Sequence, residues 1–142
     1  MAYERNAMIN LFWKIHPKLY QWSGGRIGKN VMGLPVLLLT TTGRKSGQAR
    51  TKALTYFRRG EDYVVIASNL GADFHPAWWL NLQADPTATI QVGSQEVTVC
   101  AREAVGDERA EIWQIVVNTA PAYDEYRAQT ARKIPVVVLA QA

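Results

Sequence analysis

Residues 34–67 read LPVLLLTTTGRKSGQARTKALTYFRRGEDYVVIA, and the pattern of this stretch decides the fold class. Val36–Thr42 is an unbroken β-prone run, as expected of a strand covered on both faces, and it stops at Gly43. Residues 50–58 form a second strand, Arg59-Gly60-Glu61-Asp62 a turn, and residues 63–67 a third strand. Strands joined by such short connections pair antiparallel, because parallel neighbours need a crossover of about a dozen residues or more.

Working outward, the period changes on both sides. His75–Ala84 is expected to be a short helix with Pro76 near its first turn, closed before Asp85-Pro86. Residues 87–92 and 96–101 pair as a hairpin across Gly93-Ser94-Gln95. Asp107–Thr119 is a helix with Asp107 as N-cap and Ile112, Ile115 and Val116 on its apolar face. A short helix or turn around Tyr123–Ala131 leads to a last strand, Ile134–Leu139. Upstream, Met8, Phe12, Ile15, Leu19 and Trp22 form a helical apolar stripe over residues 3–22, broken or kinked near Pro17. Strands outnumber helices, so the expectation is an α+β domain built on a mostly antiparallel barrel with flanking helices. Residues 1–33 read as an N-terminal helical segment on or near the barrel, and residues 34–142 as the barrel itself, within one domain overall.

Composition bounds the function. A chain of 142 residues with 48% apolar content can bury one core. No run approaches the ~18 apolar residues of a spanning helix, and MAYERNAMINLF does not read as a secretory signal. Cys100 is the single cysteine, which excludes an internal disulfide and suits a reducing compartment, so the cytoplasm is the expected location. His16 and His75 lack partners at metal-ligand spacing, and no metal site is expected. Charge is unevenly divided. After Glu4 the next acidic residue is Glu61, whereas residues 5–60 hold eleven Lys or Arg. One half of the molecule therefore suits an anion, whether a small polyanion, a membrane surface or a nucleic acid.

Four groups of residues could carry chemistry. In Thr40–Arg50, Gly43 and Gly47 enclose Arg44, Lys45 and Ser46, with Arg50 following. Glycines allow backbone N–H groups to converge on an anion, and the bases could add charge-assisted bonds. It is not a nucleotide-triphosphatase loop, because Arg44 stands where a glycine must precede the Lys-Ser pair. An ordinary hairpin turn with solvated bases is equally compatible. Ala67-Ser68-Asn69-Leu70-Gly71 offers little side-chain bulk, so a flat ring could lie there, or it is simply a turn into the helix. Trp78 and Asn81 share a helix face and could wall a planar ligand, while Trp79 is assigned to the core. Tyr123 and Tyr126 could cap a pocket or donate a proton, or be ordinary packing residues. There is neither a nucleophile elbow nor a dinucleotide fingerprint, and a borrowed cofactor would explain the lack of a protein nucleophile.

TTTGRKSGQARTKALTY, VVIASNLGADFHPAWWLNLQADPTATIQVG and APAYDEYRAQTARKIPVVVL, in this order and spacing, resemble the deazaflavin-dependent nitroreductase family of actinobacteria across residues 34–139. The resemblance implies a split β-barrel, related to flavin-binding split barrels, that uses reduced coenzyme F-420 as hydride donor. By this similarity Arg44, Lys45, Ser46, Gly47 and Arg50 hold the coenzyme's phosphate and acidic tail. Leu54, Ala67, Ser68, Asn69, Trp78 and Asn81 lie near the deazaflavin ring. Tyr56, Ser68, Tyr123 and Tyr126 look onto the acceptor, which would be an activated enone or lactone, a quinone or a nitroaromatic. Asn69 stands where close nitroreductase relatives usually have Lys, and Ala120 where they can carry an aromatic.

The rivals are an FMN-dependent split-barrel reductase, a non-catalytic carrier of the same coenzyme, and a nucleic-acid-binding module. The last is disfavoured because the bases lack interleaved aromatics, so no nucleic-acid partner is expected. Peripheral membrane contact through residues 3–22 and a homodimer are further readings left open by the sequence.

Overall fold

The computed structural model describes residues 30–31 and 34–142. A short β1 (Asn30–Val31) pairs with the start of β2 (Leu34–Thr42), and β2 runs antiparallel to β3 (Ala49–Thr55), from Val36 opposite Thr55 to Thr42 opposite Ala49. The Val36–Leu39 run is buried at every position, as the sequence predicts. Alternation explains it. Leu37 and Leu39 enter the main core, while Val36 and Leu38 pack with Ala53 on the other face. Each such buried side chain contributes about 1.5–3 kcal/mol.

The second expected strand, 50–58, is divided. β3 ends at Thr55 and β4 (Phe57–Arg59) begins after Tyr56. The chain changes neighbours there, from β2 to β5 (Asp62–Ile66). Tyr56 N–H still donates to the Pro35 carbonyl at 3.0 Å, beyond the last paired residue of β3. A strand serving two neighbours must bend between them, and this bend is where the sheet curls.

After the helix α1 (Ala77–Ala84), with Pro76 at its N-cap, come β6 (Thr87–Val92) and β7 (Gln95–Glu103). Two helices, α2 (Gly106–Thr119) and α3 (Ala122–Ala128), precede β8 (Val136–Gln141). The strand order is β1-β2-β6-β7-β8-β5-β4, with β3 also on β2, and every pairing is antiparallel. This is the expected α+β barrel architecture.

Two cores hold it. The inner one gathers Leu37, Leu39, Val65, Ile90, Val99, Val137 and Leu139 around Trp78, Trp79 and Leu82 of α1. The outer one packs Val64, Ile66, Val136 and Val138, from the opposite faces of β5 and β8, against Ile112, Trp113 and Val116 of α2. Ile115 is not part of that face. It is 39% exposed, and Trp113, adjacent to Ile112 and Val116 on the helix surface, completes the stripe instead. Asp107 is not the N-cap either. Val105 holds that place without a side-chain bond, because the helix begins at Gly106, and Asp107 lies in the first turn where its charge suits the helix dipole. The last strand begins at Val136 rather than Ile134, since Pro135 has no N–H to give a ladder. The helix expected over residues 3–22 lies outside the described residues.

Candidate functional site

The basic loop between β2 and β3 is closed by its own backbone. Gly43 N–H donates to the Gln48 carbonyl and Gly47 N–H to the Gly43 carbonyl, both at 2.8 Å. Gly43 is tightly packed, since a Cβ there would stand 2.7 Å from Ser46 Oγ and 3.1 Å from the Gln48 carbonyl oxygen, so a side chain would displace the serine hydroxyl from its place in the loop. Ser46 Oγ accepts from Gln48 N–H at 3.2 Å and from Arg50 Nη2 at 3.4 Å. Both lone pairs are thus engaged and its O–H proton is free to donate outward.

Asn81 fixes this loop to α1. Its side chain is 4% exposed. Nδ2 donates to Thr41 Oγ1 at 3.1 Å, and Oδ1 accepts from both the Arg44 backbone N–H and Arg44 Nη1 at 3.1 Å. The acceptor capacity of the amide is therefore used in holding the loop, with one N–H left over.

Beside the loop is a cleft of about 410 Å³. Its lining comprises Arg44, Lys45, Ser46, Arg50, Thr51 and Lys52 on one side, Asn69 and Phe74–Trp78 on the other, and Thr41, Gly43 and Asn81 between. Arg44, Lys45, Arg50 and Lys52 are cationic, and the lining contains no carboxylate among the described residues. In such a concave site with one sign of charge the field focuses on an incoming anion.

The opposite wall is an unusual piece of backbone. Asn69, Leu70 and Gly71 take φ values of 47°, 56° and 82°, successive left-handed residues in a short 3-10 turn. Isolated residues visit this region, and for Leu it is costly. Asn69 Nδ2 donates to the Phe74 carbonyl at 3.3 Å. From the far end of the chain, Arg132 binds the segment through several bonds. Nε donates to the Ala72 carbonyl (2.8 Å), Nη2 to those of Ser68 (2.8 Å) and Ala67 (3.2 Å), and Nη1 meets His75 Nδ1 at 3.0 Å. Arg has no acceptor, so His75 Nδ1 accepts and the proton sits on Nε2. Burial, reinforced by the Arg132 charge, holds the His75 pKa below its ordinary value, which keeps the ring neutral at pH 7.

The structure brings Arg44, Lys45, Ser46, Arg50, Asn69, Trp78 and Asn81 together around one cleft. Gly47 shapes the loop with φ +69° but does not line the cleft. Ala67 and Ser68 are buried behind Asn69, and among the described residues no hydrogen bond reaches the Ser68 hydroxyl. Leu54 and Tyr56 pack against the inner core, Tyr56 edge-on to Tyr63 at 5.4 Å. Tyr123 and Tyr126 pack against the outer core, their rings 5.5 Å apart, and Tyr123 Oη bonds Thr55 Oγ1 at 2.7 Å. Burial pushes both phenol pKa values up, so both are O–H groups at neutral pH. None of these four lines the cleft. Sequence reasoning missed Lys52, Phe74, His75 and Arg132. Only Lys52 had a signal, its spacing of two from Arg50 on one strand.

Fold and cleft together define an antiparallel barrel domain with a concave, cationic site of the kind that suits an anion. A family model described as F420H(2)-dependent quinone reductase matches residues 12–141. An F420H(2)-dependent quinone reductase of Mycobacterium tuberculosis is 41% identical over 140 residues, covering 96% of this chain and 93% of that protein. Another chain from that organism, named for the same activity, is 38% identical over 106 residues, covering 75% of this chain and 89% of the other. Among solved structures, an F420-H2 dependent reductase shares 39% identity with a TM-score of 0.68, over 74% of this chain and 93% of that one. A second, described as a domain-swapped dimer, shares 33% identity with a TM-score of 0.71, over 94% and 99%. The chain belongs to the F420H(2)-dependent quinone reductase family. It is an oxidoreductase whose coenzyme is reduced F-420, and the expectation of a deazaflavin-dependent split-barrel enzyme holds.

Proposed function

We propose that the cleft between the Gly43–Gln48 loop and the Asn69–Trp78 wall is the coenzyme site, and that the acceptor is a quinone. The single observation that carries the reading is a cleft with four cationic side chains and, among the described residues, no carboxylate in its lining, closed by a turn tightly packed at Gly43. That donor set fits a coenzyme with a phosphate and an acidic tail. When bound, the reduced deazaflavin supplies a hydride from its C5. Arg44, Lys45, Arg50 and the Ser46 hydroxyl bind the anionic portion, and Lys52 extends the field along β3. Asn81 keeps the loop oriented, Trp78 forms a flat wall, and closure of the cleft against water strengthens each ionic contact.

On the ring side, Ala67, Ser68, Asn69 and Leu54 are assigned to the deazaflavin. The Ser68 hydroxyl has a donor to offer an acceptor oxygen. Tyr56, Tyr123 and Tyr126 are assigned to the acceptor side, where the Tyr123 and Tyr126 phenols retain their protons at neutral pH. The Thr55 bond holds the Tyr123 hydroxyl toward β3. The family name and those of the mycobacterial relatives favour quinones over nitroaromatics and enones. A homodimer is consistent with the solved structure described as a domain-swapped dimer.

The test is a titration with oxidised F-420 and with FMN, following tryptophan and coenzyme fluorescence at two salt concentrations. F-420 should bind more tightly than FMN and weaken as salt rises, because the ion pairs at the cleft mouth are screened. Replacing Lys45 and Arg50 together with Ala should raise the Kd roughly 10- to 100-fold, as loss of two charge-assisted contacts does. An unchanged Kd would remove the loop from the site. Steady-state turnover with quinone, nitroaromatic and enone acceptors then ranks the acceptor classes.

A further inference from the structure

The wall that faces the cationic loop is held in shape by a residue outside it. Ala67, Ser68 and Ala72 point three carbonyls, and His75 one ring nitrogen, at a single guanidinium. Arg132 has five N–H groups and commits four of them here, one from Nε, one from Nη1 and two from Nη2. The backbone it gathers is the stretch least able to hold its own conformation. Asn69, Leu70 and Gly71 are successively left-handed, and the segment is closed locally by Gly71 N–H to the Ser68 carbonyl (2.9 Å), Ala72 N–H to the Asn69 carbonyl (3.1 Å) and the exposed Asn69 Nδ2 to the Phe74 carbonyl (3.3 Å). Three residues of the same segment, Asn69, Phe74 and His75, line the cleft. Gln129 is packed against Gly71 from the α3 side, so the segment is confined from behind as well.

From this arrangement we infer that Arg132 is a positioning residue for the coenzyme cleft: its guanidinium organises the Ala67–His75 wall, and it does so only while His75 is neutral. This inference rests on the cleft being the coenzyme site. A lysine cannot replace it, because one ammonium offers three donors from a single point to four acceptors spread over the segment. Protonation of His75 would turn its Nδ1 from acceptor to donor and set two cations face to face. The groups that face His75 are Arg132, from the loop before β8, and Glu103, at the end of β7, with Asp73 acting on Arg132 from the wall itself. The His75 pKa in the folded state lies below the unfolded value, so the unfolded chain takes up the proton first as pH falls. The stabilisation of the wall is therefore complete above about pH 6.5 and is lost progressively below it.

The decisive measurement is hydrogen exchange of the coenzyme-free protein at the amides of residues 68–75, for the wild type, Arg132→Lys and Arg132→Met. Exchange there should quicken about tenfold in Arg132→Lys and about a hundredfold in Arg132→Met, the range set by losing charge-assisted bonds, while β2, β5 and β8 keep their protection. The Kd for oxidised F-420 should rise in the same order, and millimolar methylguanidinium should restore part of both losses in Arg132→Met. In the wild type, wall protection should fall below about pH 6.5, as the Arg132–His75 contact is lost. Unchanged exchange in the wall would overturn the inference, as would uniform loss of protection across the sheet. Quicker exchange with unaltered F-420 affinity would reduce Arg132 to a structural role and also overturn it. Failure of the wild type to bind F-420 would instead overturn the assignment of the cleft, while the exchange experiment still judges the Arg132 restraint.

Discussion

The two walls of the cleft are built on opposite plans. The Gly43–Gln48 loop is exposed, closes through its own backbone bonds, and carries its chemistry in adjacent residues. The Ala67–Ala72 wall is mostly buried, left-handed at successive positions, and depends on a guanidinium some sixty residues away. A solvated loop can afford a dense cluster of like charge because water screens it, whereas a buried turn needs every carbonyl matched to a donor. The first wall is therefore specified locally and the second by tertiary structure.

Three substitutions probe that contrast. The largest effect is expected at the one point where the exposed loop is anchored in the interior. Asn81→Ala leaves Arg44 N–H and the buried Thr41 hydroxyl without their partner and opens a cavity beside Trp78, and it should lower the unfolding free energy by about 2–3 kcal/mol. Urea denaturation measures this, and a loss below about 0.5 kcal/mol would show that the anchor is dispensable. Gly71→Ala tests the buried wall. It must hold φ +82° with a Cβ 2.5 Å from Gln129 Oε1, a flexible side-chain end that can swing aside, so a cost of about 1–2 kcal/mol is expected, mostly conformational. A neutral result there would mean that the wall readily adopts another backbone. The smallest effect belongs to Gly47→Ala. A Cβ there meets nothing within 4 Å, leaving only the penalty of φ +69°, roughly 1 kcal/mol, which Gly47→Asn should largely recover. Equal losses in the alanine and asparagine variants would point to a contact rather than to backbone geometry.

The same contrast accounts for what the sequence discloses. The Val36–Thr42 run announces a doubly covered strand because its apolar residues are contiguous, and the Thr40–Arg50 loop announces a turn dense in bases because glycines and bases stand side by side. The division at Tyr56 is not announced, since the residues on either side of it are equally β-prone and only the choice of neighbour separates β3 from β4. Ile115 was indistinguishable from a core residue by type, and the orientation of α2 on the sheet decided in favour of Trp113. Asn81 was visible as a polar residue sharing a helix face with Trp78, but not as the anchor of a loop preceding it by 37 positions. Arg132 lay among other bases before the last strand, and its singular task became legible only when folding brought four acceptors around it.

The position of β8 bears on how the protein is made. The last strand in sequence lies inside the sheet, hydrogen-bonded to β7 on one side and β5 on the other. During synthesis the two halves it joins must wait, unzipped, until residues 136–141 emerge from the ribosome, and Arg132 arrives only just before them. Assembly dominated by such distant pairing is slow and leaves strand edges available to neighbouring nascent chains. A chain interrupted before Arg132 would lack both the strand that joins β5 to β7 and the guanidinium that gathers the Ala67, Ser68 and Ala72 carbonyls. Sheet closure and the shape of this wall are therefore set by one short stretch of sequence.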